Sequence, residues 1–314
     1  MVSRLIRKVW IYVVVLCQLA VFIPAAQAES VPGTMEVQGY TRNYVLHIPQ
    51  GYDGTDPLPL VLMLHGAGGS AEHALTHYRW DETADKGKFF VLALNALPVD
   101  LNQPPDFWTN PQVWNDGSGW GQELRPNIDD VQFVREVIAS VARQYKIDRQ
   151  NVFAAGFSNG ASMTFRLAYE MPGQIRAIAP VAGYWNMAAD TKVSQSVPTM
   201  FIIGTDDPIF PLAGGSIHMH WGNWLHSKPT KENLARWARR NGLTAEPQLV
   251  GQAGDVRLET YDTKQVFLVC YVQRLGHVWP GTVNQLPQSM MGSENISFDG
   301  TAAIWEFFQA NKSQ

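Results

Sequence analysis

A series of short apolar runs fixes what this chain can become. They are Leu58–Leu64, Phe89–Leu94, Val152–Phe157, Ala177–Gly183, Pro198–Gly204 and Val266–Tyr271. A near-continuous run of this kind is typical of a strand covered on both faces, as in a parallel sheet packed between helices. Segments with helical character fall between the runs. These are Tyr78–Lys88, the stretch opening at Asp129-Asp130, the one from Ser158 to about Tyr169, and Lys231–Asn241, with Thr301–Asn311 closing the chain. Ahead of them, Met35-Glu-Val-Gln and Tyr44-Val-Leu-His-Ile-Pro alternate and read as an antiparallel hairpin. Strands alternating with helices predict an α/β fold, a mostly parallel central sheet with helices on both faces. No repeat or low-complexity linker interrupts the pattern, so residues 29–314 are expected to form a single domain.

The first 28 residues read as an export signal rather than as part of the fold. Arg4, Arg7 and Lys8 form a basic start, Val9–Pro24 is mostly apolar, and Ala26-Gln27-Ala28 is a small-x-small cleavage site. The apolar run is short for a membrane span, so a retained anchor is not expected. Cleavage near Ala28 would leave a secreted or periplasmic protein. It would remove three positive charges and no acids, taking the net charge from −4 to −7. That balance argues against nucleic acid as a partner. Cys270 is the only cysteine outside the leader, so no intrachain disulfide and no cysteine-based metal site can form in the mature chain.

The run Val152–Phe157 ends in Gly156-Phe-Ser158-Asn159-Gly160 and leads straight into a helix. A Gly-x-Ser-x-Gly turn between strand and helix swings a serine hydroxyl clear of the sheet, and side chains at the two glycines would collide with the crossing elements. The turn also puts the first N–H groups of the helix beside the hydroxyl, where an oxyanion would form. A second loop, His65-Gly66-Ala67-Gly68-Gly69-Ser70, follows Leu58–Leu64. It lacks the lysine of a phosphate-binding loop and the spacing of a dinucleotide fingerprint. It suits the other half of an oxyanion hole, with Ala67 as the donor ahead of Gly68. His65 fits a structural hydrogen-bonding role better than a catalytic one.

Two further strand ends carry chemistry: Thr205-Asp206-Asp207-Pro208 and Gly276-His277-Val-Trp279-Pro280-Gly281. A serine followed by an acid and then a histidine, each just past a strand, is the chain order of α/β-hydrolases. Serine is a weak nucleophile at neutral pH. A histidine, with its ordinary pKa of about 6.5, can take the proton and return it to the leaving group. A carboxylate fixes the imidazole tautomer and stabilises the imidazolium. Ser158, Asp207 and His277 are the expected triad. Asp207 is preferred to Asp206 because Pro208 holds it extended. His218 and His220, and His73 and His77, have spacings that could chelate a metal, but neither pair has a third ligand at ligand spacing. No metal and no cofactor is expected.

The segment Asn95–Asn127 is long, polar and rich in Pro, Gly and Trp, which suits a functional loop. Its Trp108, Trp114 and Trp120, together with Trp185 and Trp279, are expected to pack on the substrate.

The elbow, with Ala161 and Met163, closely resembles that of extracellular polyhydroxybutyrate depolymerase-like esterases, a group that includes feruloyl and acetylxylan esterases. So do Ala177-Ile-Ala-Pro-Val-Ala-Gly183, Gly204-Thr-x-Asp207-x-x-x-Pro211, Gly276-His277-x-Trp279-Pro280-Gly281 and Ile304-Trp-Glu-Phe-Phe308. The resemblance runs from about Tyr44 to Phe308. It implies a single α/β-hydrolase domain without a metal, the triad named above, and oxyanion N–H groups from Asn159 and Ala67. It implies an ester hydrolase working through an acyl-enzyme. Hydroxyalkanoate oligomers rank first as substrate and feruloyl or acetyl esters on plant polysaccharide second. A polymer-binding module is absent from the sequence, so soluble esters are expected ahead of solid polymer. A peptidase, or a non-catalytic binding protein on the same scaffold, are the competing readings. Residues 98–127 and 214–229 resemble nothing in that family.

Overall fold

The structure, a computed structural model, describes residues 27–120, 127–187, 195–262, 264 and 266–313. The expected leader thus lies outside the described residues up to residue 26. The first strand begins at Glu29. In chain order the elements are β1 Glu29–Val37, β2 Tyr40–Ile48, β3 Leu58–Leu64, α1 Ala71–His77, α2 Trp80–Gly87, β4 Phe90–Leu94, β5 Leu97–Pro98, β6 Gln112–Val113, α3 Asp130–Gln144, β7 Ile147–Phe157, α4 Asn159–Glu170 and β8 Ala177–Val181. They continue with β9 Thr199–Gly204, β10 Gly215–His218, β11 Trp224–Ser227, α5 Thr230–Arg240, β12 Gln248–Ala253, β13 Val256–Thr260, β14 Phe267–Val272, α6 Gln288–Met291 and α7 Gly300–Ala310.

Ten of these strands form one sheet in the order β1-β2-β4-β3-β7-β8-β9-β14-β13-β12. The run from β4 to β14 is parallel, and the strands on either flank are antiparallel. The apolar runs explain the middle. β4, β8 and β9 are buried at every position, as strands covered on both sides must be. β1 alternates between exposed and half-buried residues because one face looks at water.

Helices α1, α2 and α7 cover one face and α3, α4 and α5 the other. On the first, Trp305 of α7 stacks on Phe89 with centroids 3.8 Å apart, and Phe308 stacks on Phe153 at 4.7 Å. On the second, Trp237 of α5 meets Phe165 of α4 edge-on at 4.9 Å. Each buried ring contributes up to about 1.5–3 kcal/mol by area removed from water. Cys270 is buried in β14 as a free thiol, and burial pushes it up to about 12.

The paired acids at the start of α3 divide their work. Asp129 caps the helix, accepting from the N–H of Val131 and Gln132. Asp130 turns inward and pairs with Arg42 at 2.6 Å, both side chains being buried. Two small hairpins, β5–β6 and β10–β11, stand outside the main sheet. The first opens the long 95–127 loop and the second lies within residues 214–229.

Candidate active site

Ser158 sits between the end of β7 and the first residue of α4, with φ 53° and ψ −119°. A non-glycine residue in such a conformation costs of order 1–3 kcal/mol, so its surroundings must enforce it. They do so by contact. A Cβ on Gly156 would lie 2.3 Å from the Gly160 carbonyl oxygen, and one on Gly160 would lie 2.3 Å from that of Leu64. The absent side chains let strand, turn and helix close on one another. The Ser158 N–H donates to Val181 O at 2.9 Å, and its carbonyl accepts from Ser162 N at 3.0 Å.

Asp207 follows β9 and His277 follows β14, so both leave the same edge of the sheet as Ser158. His277 Nδ1 lies 2.8 Å from Asp207 Oδ2, and both side chains are buried. The other oxygen, Asp207 Oδ1, accepts from Ile209 N and Phe210 N, each at 2.8 Å. The carboxylate thus has three donors and one orientation. Asp206 is exposed and takes the Thr205 hydroxyl instead. The His277 ring packs on Phe157, 4.8 Å between centroids. Ser158 and His277 line one cavity of about 950 Å³.

Ala67 and Asn159 line it too. Among the described residues, neither main-chain N–H has an acceptor, so both are free to meet an incoming oxygen. The loop carrying Ala67 is held from behind. His65 Nε2 accepts from Ala96 N at 3.1 Å, which leaves Nδ1 to donate to Gly66 O at 2.6 Å. Both ring nitrogens are therefore engaged in the neutral form, and burial lowers the His65 pKa to about 4. Gly68 N donates to Gln112 O, and the Gln112 amide returns a bond to Gly69 O.

The five tryptophans separate. Trp120 and Trp279 line the cavity. Trp279 also stacks on Tyr78 at 4.5 Å and donates to Thr301 Oγ1. The other three are placed differently from the sequence expectation. Trp114 is fully buried and donates its Nε1–H to His65 O at 2.9 Å, so it supports the loop carrying Ala67 from beneath. Trp185 points into the helical layer, beside Tyr169 and Trp237, while its neighbours Tyr184 and Asn186 line the cavity. Trp108 is 53% exposed on the outside, against Phe107 and His220.

The cavity walls contain residues that the sequence did not assign to the substrate site. Phe107, Met219 and Trp221 roof it, and Trp221 Nε1 donates to Phe107 O at 2.7 Å. His73 and His77 stack at 4.6 Å along the opposite wall, with burial lowering His73 to about 4. Asp116 and Asn186 face it near the elbow. His73 and His77 stood out in the sequence only as a spacing that could chelate a metal, Phe107 and Asp116 only as members of the long 95–127 loop, and Trp221 only as an aromatic in the 214–229 segment. No group of three or more side chains that could hold a metal ion occurs among the described residues. None of the described helices is long and apolar enough to cross a membrane.

An arrangement of this kind can activate a serine toward a carbonyl carbon and hold the oxyanion that follows. Comparison with known proteins finds esterases. The profile described as phospholipase/carboxylesterase matches residues 53–223. NocK of Nocardia uniformis subsp. tsuyamanensis, provisionally named an esterase, is 31% identical across 82% of this chain and 76% of its own length. Feruloyl esterase B of Piromyces equi is 27% identical across 66% of this chain, and feruloyl esterase C of Emericella nidulans is 28% identical across 58%. The chain spans only 37% and 60% of those two proteins. An S-formylglutathione hydrolase from Agrobacterium tumefaciens has the same fold, with a TM-score of 0.57 at 9% identity over 93% of this chain and 99% of that one. So has an acetyl xylan esterase from Aspergillus awamori, at 0.55 and 12% over 79% and 94%.

Proposed function

The chain belongs to the phospholipase/carboxylesterase family of α/β-hydrolases, and on that premise we propose that it hydrolyses carboxylic esters through a Ser158–His277–Asp207 triad. The observation that carries the proposal is the 2.8 Å contact between His277 Nδ1 and Asp207 Oδ2, in a cavity that His277 shares with Ser158. With Nδ1 turned to the carboxylate, Nε2 is left to act on the serine. The ester carbonyl oxygen binds at the N–H groups of Ala67 and Asn159. Ser158 Oγ attacks the carbonyl carbon as His277 takes its proton, and Asp207 steadies the imidazolium. The tetrahedral oxyanion collapses, the C–O bond to the alcohol breaks, and His277 protonates the leaving oxygen. Water, deprotonated by His277, then attacks the acyl-enzyme and releases the acid.

The substrate class we favour is a feruloyl or acetyl ester of a polysaccharide or its fragments. The names of the Piromyces and Emericella relatives support it, as do the aromatic walls. They move it ahead of the hydroxyalkanoate oligomers that the sequence resemblance ranks first. The oligomer reading keeps one support, the aliphatic side chains of Met219, Leu225, Leu286 and Met290 on the cavity wall. We place the protein outside the cytoplasm, as a single catalytic domain of residues 29–314 released by cleavage near Ala28. Initial rates of that chain on methyl ferulate, an acetylated xylo-oligosaccharide and a 3-hydroxybutyrate trimer test both levels, with Ser158→Ala as blank. Turnover abolished in Ser158→Ala supports the triad, and appreciable activity remaining there removes it. Preference for ferulate or acetyl-xylan supports the substrate class, and preference for the trimer replaces it.

A further inference from the structure

We propose that Asp116 is a positioning residue for this reaction: its buried carboxylate clamps the Asn159 side chain so that the Asn159 main-chain N–H stays aimed at the forming oxyanion. The inference rests on the ester-hydrolase reading of the site and deepens it.

Asp116 is 4% exposed and lies at the cavity wall. Its Oδ2 accepts from Asn159 Nδ2 at 2.9 Å and from Asn186 Nδ2 at 3.1 Å, and its Oδ1 from Ser118 N at 2.9 Å. All three partners are donors. Only an acceptor-only group satisfies all of them at once, which a carboxylate is and an amide is not. Burial raises the Asp116 pKa above its ordinary value, and among the described residues no cation lies within ion-pair distance of it. The charge is therefore a cost to folding. It is kept where three segments of the site meet: the wall at 114–118, the elbow, and the stretch after β8 that ends at Asn186.

The clamp leaves the Asn159 side chain little freedom. Its Oδ1 accepts from Trp114 N at 2.7 Å, and its Nδ2 donates to Trp114 O and to Asp116. An asparagine in the first turn of a helix otherwise tends to fold its carbonyl onto nearby main-chain N–H groups. Here the bonds to Trp114 and Asp116 hold the side chain away from the helix start, where the Asn159 N–H lies. With Asp116 removed, Asn159 keeps only its two bonds to Trp114, Nδ2 loses its shorter acceptor, and the elbow loses the buried carboxylate that ties it to Ser118 and Asn186.

The test compares Asp116→Ala, Asp116→Asn, Asn159→Ala and the Asp116→Ala/Asn159→Ala double variant on methyl ferulate or another soluble ester. Each protein is first titrated with a fluorophosphonate to count reactive serines, and its melting temperature is measured. Loss of a donor's aim rather than of the donor predicts a fall in kcat of about 10- to 100-fold per titrated site in Asp116→Ala, at the low end of what oxyanion donors contribute. KM should change little, because the contact is made in the transition state. Asp116→Asn, which keeps an acceptor for Asn159, should recover most of the rate. The double variant should lose no more than either single one, because both break the same clamp. The melting temperature of Asp116→Ala should fall, because Ser118 N and Asn186 Nδ2 lose their acceptor, so rates are compared per titrated site. If Asp116→Ala fails to fold, Asn159→Ala must still lose kcat and Asp116→Asn must keep it. A kcat per site within about twofold of the parent, or additive losses in the double variant, overturns the inference. So does a lowered melting temperature with kcat per site unchanged, which marks a plain structural role. A parent protein that the fluorophosphonate does not label overturns the reading of the site itself, and this inference with it.

Discussion

At the scale of single residues, the site is held by main-chain contacts as much as by side chains. Gly156 and Gly160 each leave 2.3 Å between a would-be Cβ and a carbonyl oxygen that belongs to another element. Gly160→Ala should therefore cost at least about 1–3 kcal/mol, as overpacking does. The loss can be read from urea unfolding, and an unchanged midpoint with full activity would contradict the close approach. The acids at 206 and 207 give a sharper contrast. Asp207→Asn should cut kcat by about 10⁴-fold through the wrong imidazole tautomer, while Asp206→Asn should stay within about twofold. Steady-state rates on one ester decide it, and similar losses in both would remove the preference. The choice between the two acids could be read from Pro208. The fate of the tryptophans could not. Trp185 and its neighbours lie past the end of β8 with no periodic pattern to say which of them faces the cavity. Trp114 is a support rather than a binding surface because its indole N–H finds His65 O, a partner 49 positions away in the chain.

At the scale of elements, a frame carries two additions. The parallel strands and the helices over them follow directly from apolar runs and helical spacing. The roof does not. β10 and β11 are exposed or half-buried at every position, and β11 lies along the cavity wall. Such a segment leaves no periodic apolar signal. β12 is exposed along most of its length and was equally silent. The roof is joined to the 98–127 segment by the Trp221–Phe107 hydrogen bond and by stacking of His220 on Phe107 at 5.2 Å. Trp221→Ala should therefore raise KM by about 10-fold for an ester that fills the cavity and change kcat far less, since it removes uniform binding. Equal losses in kcat would place Trp221 in the chemistry instead. The same wall is anchored at its base, where Asp130 Oδ2 accepts from Asn115 N at 2.7 Å and Oδ1 pairs with Arg42. Arg42→Met leaves that carboxylate buried without its cation and should lower the unfolding free energy by about 3–5 kcal/mol in denaturant titrations. A change below about 1 kcal/mol would mean that the pair is not an anchor.

At the scale of the whole molecule, stability should depend on pH through a group that performs no chemistry. Burial holds the His65 pKa at about 4 in the fold against an ordinary 6.5. Above pH 6.5 the ring is neutral in both states and the full stability is present. As pH falls toward 4 the unfolded chain takes up a proton that the fold refuses, and up to about 3 kcal/mol is lost from this residue. His73 is shifted in the same direction. Denaturant unfolding at pH 7.5 and 4.5 checks the slope, and a profile flat over that range would contradict it. His65→Gln should flatten it. The strand order has a consequence in time as well as in space. β7 and β8, which frame Ser158, pair within the first 181 residues, whereas β14 reaches its place beside β9 only after residue 267 has been made. A chain that folds from its N-terminus thus completes the turn around Ser158 long before His277 is in place, and on the proposed mechanism it stays chemically silent until the last parallel strand docks.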